Sequence, residues 1–221
     1  MRSVALEESE LFHVLGDKRL AQVRSRFQLS PFRVGEYLYF ESQNAAHLWV
    51  VRAGEVRTLR TSAAGRITAL EHLRPGELFG MAAGVGSPSY TESAQGIVAG
   101  EAWRVPREFL SKLIEQEPEL GRGLLAVVAS RLQAAHDRLC SFAHDNVPAR
   151  LARAVLEEAE GERIEMTRRA LSESVGTTVE TAIRVLRGFE REGWIEGGLR
   201  WIRIVDRNAL EAVARSESPK S

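Results

Sequence analysis

Glu180 and Arg184 stand four residues apart in a stretch whose apolar residues recur at helical spacing. In a helix this places the two side chains one turn apart on one face. An arginine donates two hydrogen bonds to guanine O6 and N7, and a carboxylate accepts one from cytosine N4. As oppositely charged i,i+4 partners, the two would also hold each other extended. The same pair on any surface helix would be an ordinary ion pair, so the neighbouring residues decide the reading. Thr167 is a good N-cap for a helix from Arg168 to Val175, with Leu171 and Val175 inward. Gly176-Thr177 supplies a tight turn, and Thr178 caps a second helix from Val179 to about Arg191. The inward stripe of that helix is Ala182, Val185, Leu186 and Phe189. Short helix, glycine turn and second helix make a helix-turn-helix, whose second helix enters the major groove and meets base edges near its start. Arg168, Arg169, Thr178 and Thr181 are placed to meet phosphates, as are the amides at the helix start.

A hairpin is expected directly after this unit. Trp194-Ile195-Glu196 and residues 199–205 flank Gly197-Gly198, a two-residue turn of the kind hairpins favour. Arg200 would lie near the tip of this wing and touch backbone phosphate; the alternative is a hairpin that only covers the helices.

Upstream elements must carry the reading unit. From Phe32 to about Val105 short apolar runs alternate with glycine-bearing turns, which predicts a β-sandwich or barrel. Within it, Val56–Leu59 and Ile67–Leu70 form a hairpin around Ser62–Gly65. From about Glu108 to Asp145 the pattern is helical, with Pro118 suited to a helix start. Leu120, Leu124, Val128, Leu132, Ala135, Leu139 and Phe142 form one stripe along a helix of about 40 Å. Its narrowness predicts a two-stranded dimer seam over 118–145; the alternative is a helix laid across its own β-domain. Asn146-Val147-Pro148 interrupts the helical pattern and predicts a hinge. A further amphipathic helix then runs from Arg150 to Glu160, ended by Gly161, and the polar tail from Arg215 is expected to fray. Domain boundaries follow at 1–115, 116–145 and 146–221.

Composition narrows the classes. The 221 residues are 44% hydrophobic and 27% charged, ordinary for a globular protein. The formal net charge is zero, so attraction to nucleic acid must come from local placement of arginine. Cys140 is the single cysteine, which excludes an internal disulfide and a cysteine-ligated zinc or iron–sulfur centre in one chain. The opening residues carry no signal-peptide pattern and no run of 18 apolar residues occurs, so a cytoplasmic protein without a membrane span is expected.

Residues 176–186, Gly-Thr-Thr-Val-Glu-Thr-Ala-Ile-Arg-Val-Leu, followed by Glu-Arg-Glu-Gly-Trp-Ile at 190–195, resemble the recognition helix of the CRP/FNR regulators. Leu-Trp-Val-Val-Arg-Ala-Gly-Glu-Val-Arg at 48–57, Gly-Arg at 65–66 and Leu-Arg-Pro-Gly-Glu-Leu-Phe-Gly at 73–80 are similar to the family's sensor domain, in the same order. The resemblance spans about residues 10–210. It implies an α+β chain with an N-terminal double-stranded β-helix (jelly-roll), a long dimerisation helix and a C-terminal winged helix-turn-helix. It also implies a non-enzymatic transcription regulator that binds double-stranded DNA as a homodimer on a two-fold site, with RNA polymerase as a partner. Arg184 matches the family arginine that reads guanine and Glu180 the glutamate that meets cytosine, in a TGA-like half-site core. Val179 replaces the arginine of the cyclic AMP receptor protein, and Ile183 replaces the serine of the fumarate–nitrate type. Neither parent specificity can therefore be copied, and the outer bases stay open.

The same resemblance places an effector pocket at Gly80, Met81, Ala82, Thr91, Glu92, Ser93, Ala135 and His136. Cyclic nucleotide sites of the family carry a glutamate for the ribose where Met81 stands and an arginine for the phosphate near Thr91 and Glu92. Ala135 and His136 replace the small hydroxyl pair that reads adenine. Met81 cannot accept a ribose hydrogen bond and a glutamate repels phosphate, which argues against cyclic AMP. The iron–sulfur branch lacks its cysteines. The loop from Phe79 to Ala94 is similar to that of nitric-oxide-responsive regulators, which leaves haem as an alternative cofactor with His13, His47, His72, His136 and His144 as the available histidines. An effector-independent regulator is a further alternative. An effector would act by changing the relation of the long helix to the hinge. Two other classes compete: a cupin-like metal enzyme, which would need clustered histidine and carboxylate ligands, and a protein-binding module whose helix-turn-helix no longer touches DNA.

Overall fold

A computed structural model describes residues 3–65, 67–159, 161–198 and 200–215. The chain divides into two compact units, 1–132 and 133–221. The first opens with a short helix α1 (Gly16–Val23), flanked by single 3-10 turns. Five strands follow: β1 (Gln28–Phe32), β2 (Tyr37–Tyr39), β3 (His47–Thr61), β4 (Ile67–Leu73) and β5 (Leu78–Phe79). A sixth, β6 (Ser93–Pro106), completes an antiparallel jelly-roll-like sheet in the order β1-β6-β3-β4, with β2 on β6 and β5 on β3. β3 and β6 span 15 and 14 residues, longer than a flat sheet of this size needs, and they bend. Their register shifts between Val51 and Val56. Gly54 makes the bend possible: its φ is 79° and a Cβ there would lie 2.5 Å from the Val98 carbonyl oxygen. The expected hairpin forms, pairing Val56 with Leu73 and Thr61 with Ile67 around the Ser62–Gly65 turn.

Two helices close this unit, α2 (Arg107–Gln116) and the first half of α3 (Pro118–His144). Leu120 and Leu124 are buried with Phe12, Leu48 and Leu110. This corrects the predicted stripe: its first two members turn into the chain's own core. Leu125 is exposed instead, together with Leu132, Leu139 and Phe142. The exposed face thus reads Leu125, Val128, Leu132, Ala135, Leu139 and Phe142, alternating by three and four as in a coiled-coil seam. The burial of Leu120 and Leu124 sets this register; periodicity alone does not distinguish 124 from 125. Arg131, on the same helix, is held by Glu10 at 2.8 Å, Glu71 at 2.9 Å and the Leu78 carbonyl at 3.0 Å.

The second unit begins within α3 and continues through α4 (Val147–Glu158), β7 (Arg163–Ile164), α5 (Arg168–Ser174) and α6 (Val179–Arg191). A hairpin of β8 (Ile195–Gly197) and β9 (Ile202–Ile204) and a last helix α7 (Arg207–Ala214) complete it. The interruption at 146–148 is narrower than a hinge loop. Asn146 is the N-cap of α4, its Oδ1 accepting from the Ala149 amide at 2.9 Å, and Pro148 sits in the first turn, where a missing N–H is harmless. β7 and α7 have no counterpart in the sequence reading; β7 is two residues long and is defined only by its pairing with β9. No helix among the described residues is long and apolar enough to cross a membrane.

Candidate nucleic-acid interface

The helix-turn-helix is built by two threonine caps and a glycine. The Thr167 hydroxyl accepts from the Ala170 amide at 3.1 Å and starts α5; the Thr178 hydroxyl accepts from Thr181 at 3.2 Å and starts α6. Between them Gly176 takes φ 63°, a left-handed conformation that side chains other than glycine rarely adopt. Leu171, Val175, Ala182, Leu186 and Phe189 are buried in one cluster with the strands of the hairpin and α4. The inner face of α6 is therefore fixed, and with it the direction of the outer face.

That outer face carries Glu180, Arg184, Arg187 and Arg191, all exposed. Neither Glu180 nor Arg184 has a hydrogen-bond or ion-pair partner among the described residues, so the expected mutual pairing does not form. Both are open to an outside partner. Arg187, three residues after Arg184, is equally exposed and did not figure in the sequence reading; the signal that finds it is its i+7 spacing from Glu180. Thr178 is exposed and Thr181 partly so. Arg169 is exposed and paired with Glu173 at 3.1 Å. Arg168 differs: its side chain is only 19% exposed and donates to Glu190 at 2.7 Å, which braces α5 against α6. Its partner lies 22 residues on, beyond the reach of local pattern.

The tip of the hairpin falls later in the chain than predicted. Ile195 pairs with Ile204 and Gly197 with Ile202, and the Gly198 amide donates to the Trp201 carbonyl at 3.0 Å. The connection is thus 198–201 rather than the pair Gly197-Gly198. Neither glycine has a positive φ, which a two-residue turn of that kind requires, and Trp201 lies against Gly198. Leu199, placed in the second strand by sequence, is outside the described residues. Arg200 is exposed in this tip, without an ion-pair partner among the described residues, while Arg203 is tied to Glu196 at 2.6 Å.

In the first unit, Gly80, Met81 and Ala82 form the start of a short 3-10 turn, with Ala82 buried. Thr91, Glu92 and Ser93 lead into β6; Thr91 donates to Glu92, and Ser93 accepts from the Glu41 amide at 2.9 Å. Beneath them several rings of the roll pack together. Tyr39 stacks on Tyr90 at 3.7 Å and also contacts Trp49 and Phe79. The Tyr90 hydroxyl donates to the His47 carbonyl at 2.8 Å and accepts from Trp49 Nε1 at 3.1 Å. Burial first, and then the Glu92 carboxylate, pushes the Tyr39 phenol far above its ordinary value, so it remains a neutral hydroxyl. Ala135 and His136 lie exposed on α3 in the second unit. His72 is paired with Glu55 at 2.8 Å and His13 Nδ1 lies 2.9 Å from the Ser9 carbonyl. No group of three histidine, cysteine or carboxylate side chains among the described residues is arranged to hold a metal ion.

A cyclic nucleotide-binding domain matches residues 29–117 and a Crp-like helix-turn-helix domain matches residues 149–213. The chain is 28% identical over 212 residues to the cyclic AMP receptor protein of Thermus thermophilus, covering 95% of this chain and 98% of that protein. It is also 28% identical over 196 residues to the transcriptional activator protein anr of Pseudomonas aeruginosa, covering 83% and 79%. Its fold superposes on that of FixK2 from Bradyrhizobium japonicum with a TM-score of 0.79 at 25% identity, covering 86% of this chain and 98% of that one. With a jelly-roll-like sheet followed along the chain by a helix-turn-helix, the chain belongs to the CRP/FNR family of DNA-binding transcription regulators.

Proposed function

We propose that two copies of the chain bind a two-fold symmetric duplex with TGA-like half-site cores, Arg184 reading guanine and Glu180 meeting cytosine. The observation that carries this is the free pair itself. Glu180 and Arg184 point outward from the first two turns of a helix whose other face is locked in the core. Thr178, Thr181, Arg169 and Arg200 then serve the phosphates, and Arg187 extends the same basic face. Arg168 supports the unit from within rather than meeting phosphate. Dimerisation runs through the exposed face of α3, which would place the recognition helices about 34 Å apart, one turn of DNA. RNA polymerase is the partner such a regulator serves at a promoter.

Arg184→Ala should cost about 1–3 kcal/mol on the preferred duplex and relax selection at the guanine alone. Binding selections on randomised half-sites measure this directly, and an unchanged guanine preference would remove the assignment.

The effector of the first unit is not cyclic AMP in this reading, because Met81 and Glu92 offer neither the acceptor nor the cation that a cyclic nucleotide needs. The stacked Tyr39, Tyr90, Trp49 and Phe79 support a second reading, in which the roll is a structural core and DNA binding needs no effector. Titration of the protein–DNA complex with cyclic AMP and with haem tests both, since a rise in affinity with either ligand contradicts the second reading.

A further inference from the structure

Phe142 lies where two structures meet. It is the last member of the exposed α3 face and keeps 45% of its surface open. The edge of its ring also touches the helix-turn-helix turn: a Cβ built on Gly176 would lie 2.7 Å from Phe142 Cε1. The Arg150 guanidinium sits 5.2 Å from the Phe142 ring centre. From there Arg150 donates through Nε to the Val175 carbonyl at 3.1 Å and through its terminal nitrogen to the Asp145 carbonyl at 2.8 Å. Val175 is the C-cap of α5 and directly precedes Gly176. One side chain of α4 thus ties the end of α3 to the end of α5, with an aromatic ring packed against the turn between α5 and α6. Arg153 reinforces the α3 side, donating to Ser141 at 2.7 Å and to Asp145 at 2.6 Å.

We infer that Phe142 and Arg150 are positioning residues for DNA recognition: they clasp the helix-turn-helix turn to the end of the dimer helix and fix where α6 is presented. They touch no base. Their effect is on the spacing of two recognition helices, and so on binding to paired half-sites rather than to one. Two features separate this role from general support of the fold. The bonds from Arg150 and the ring of Phe142 run between elements and are not part of the buried cluster that holds α5, α6 and the hairpin together. At Gly176 a Cβ would meet the Phe142 ring at 2.7–3.6 Å and no other residue within 4 Å is nearer, so this ring is what packs on the turn.

The inference rests on the two-fold reading above, and the test separates the two. Affinity of the full chain is measured for a duplex with two half-sites at one-turn spacing and for a duplex with a single half-site. Wild type, Phe142→Ala, Arg150→Ala and the conservative Phe142→Tyr are compared, with sedimentation recording the oligomeric state. Arg150→Ala is decisive because Arg150 is outside the seam. Both alanine variants should lower the paired-to-single preference at least tenfold, with single-site affinity unchanged, and Phe142→Tyr should retain it. If both affinities fall in parallel, the residues only support the reading unit and the inference is overturned. It is overturned equally if the wild-type preference survives Arg150→Ala. A wild-type chain that shows no preference for paired sites defeats the two-fold reading first, and the clasp with it.

Discussion

At Asp145 burial alone would raise the carboxyl pKa, yet hydrogen bonds from Ser141 and Arg153 and the charges of Arg153 and Arg150 hold it below its ordinary value. A carboxyl lowered in the folded state contributes stability that is present above the ordinary value of 3.8 and is lost as pH falls through the lowered one. Asp145→Asn should therefore flatten the acid side of the stability profile, with urea midpoints below pH 4 falling less steeply than in wild type. An acid limb of unchanged slope would show that the group does not carry this linkage. At this scale the sequence was readable wherever a side chain bonds to its own neighbourhood. Thr167, Thr178 and Gly176 act within three residues of themselves, and their types state their roles. Arg168 and Arg150 were not readable in this way. Their partners, Glu190 and Val175, are 22 and 25 positions away, and only the fold brings them near.

Among elements, α3 shows what periodicity can and cannot specify. Its length and start at Pro118 were evident, but Leu124 and Leu125 are adjacent apolar residues, and only one can face the core. Core packing takes Leu124 and leaves Leu125 on the exposed face proposed above as a dimer seam. In such a seam a buried leucine would contribute about 2 kcal/mol per chain, and a charge would have to be desolvated. Leu132→Asp should give a single-chain mass by sedimentation at micromolar concentration, with a thermal unfolding transition close to wild type, because Leu132 is exposed in the isolated chain. A dimer that persists would place the interface elsewhere. The wing shows the complementary failure: the adjacent glycines suggested the shortest turn, but the register is set by Ile195 and Ile204 in the core, which moves the turn outward.

Over the whole molecule the net charge is zero, so long-range attraction to DNA is weak and affinity depends on which arginines are left without a partner. Many of the chain's arginines are neutralised by a nearby carboxylate, Arg203 by Glu196 and Arg168 by Glu190 among them. Arg200, at the wing tip, has no ion-pair partner among the described residues. Arg200→Ala should weaken binding to all sequences alike and reduce the slope of log affinity against log salt by about 1, as loss of one phosphate contact does. A change in base preference instead would make Arg200 a reader rather than an anchor.

The boundary between the two compact units falls at residues 132 and 133, inside α3 and with no loop between them. One uninterrupted helix is therefore shared by the two compact units, and each half is expected to open with the unit it belongs to. Amide protons near Leu124 should exchange with the opening free energy of the first unit, and those near Leu139 with that of the second. Hydrogen exchange under mild denaturant would show protection changing midway along the helix, and a uniform level from end to end would contradict the division.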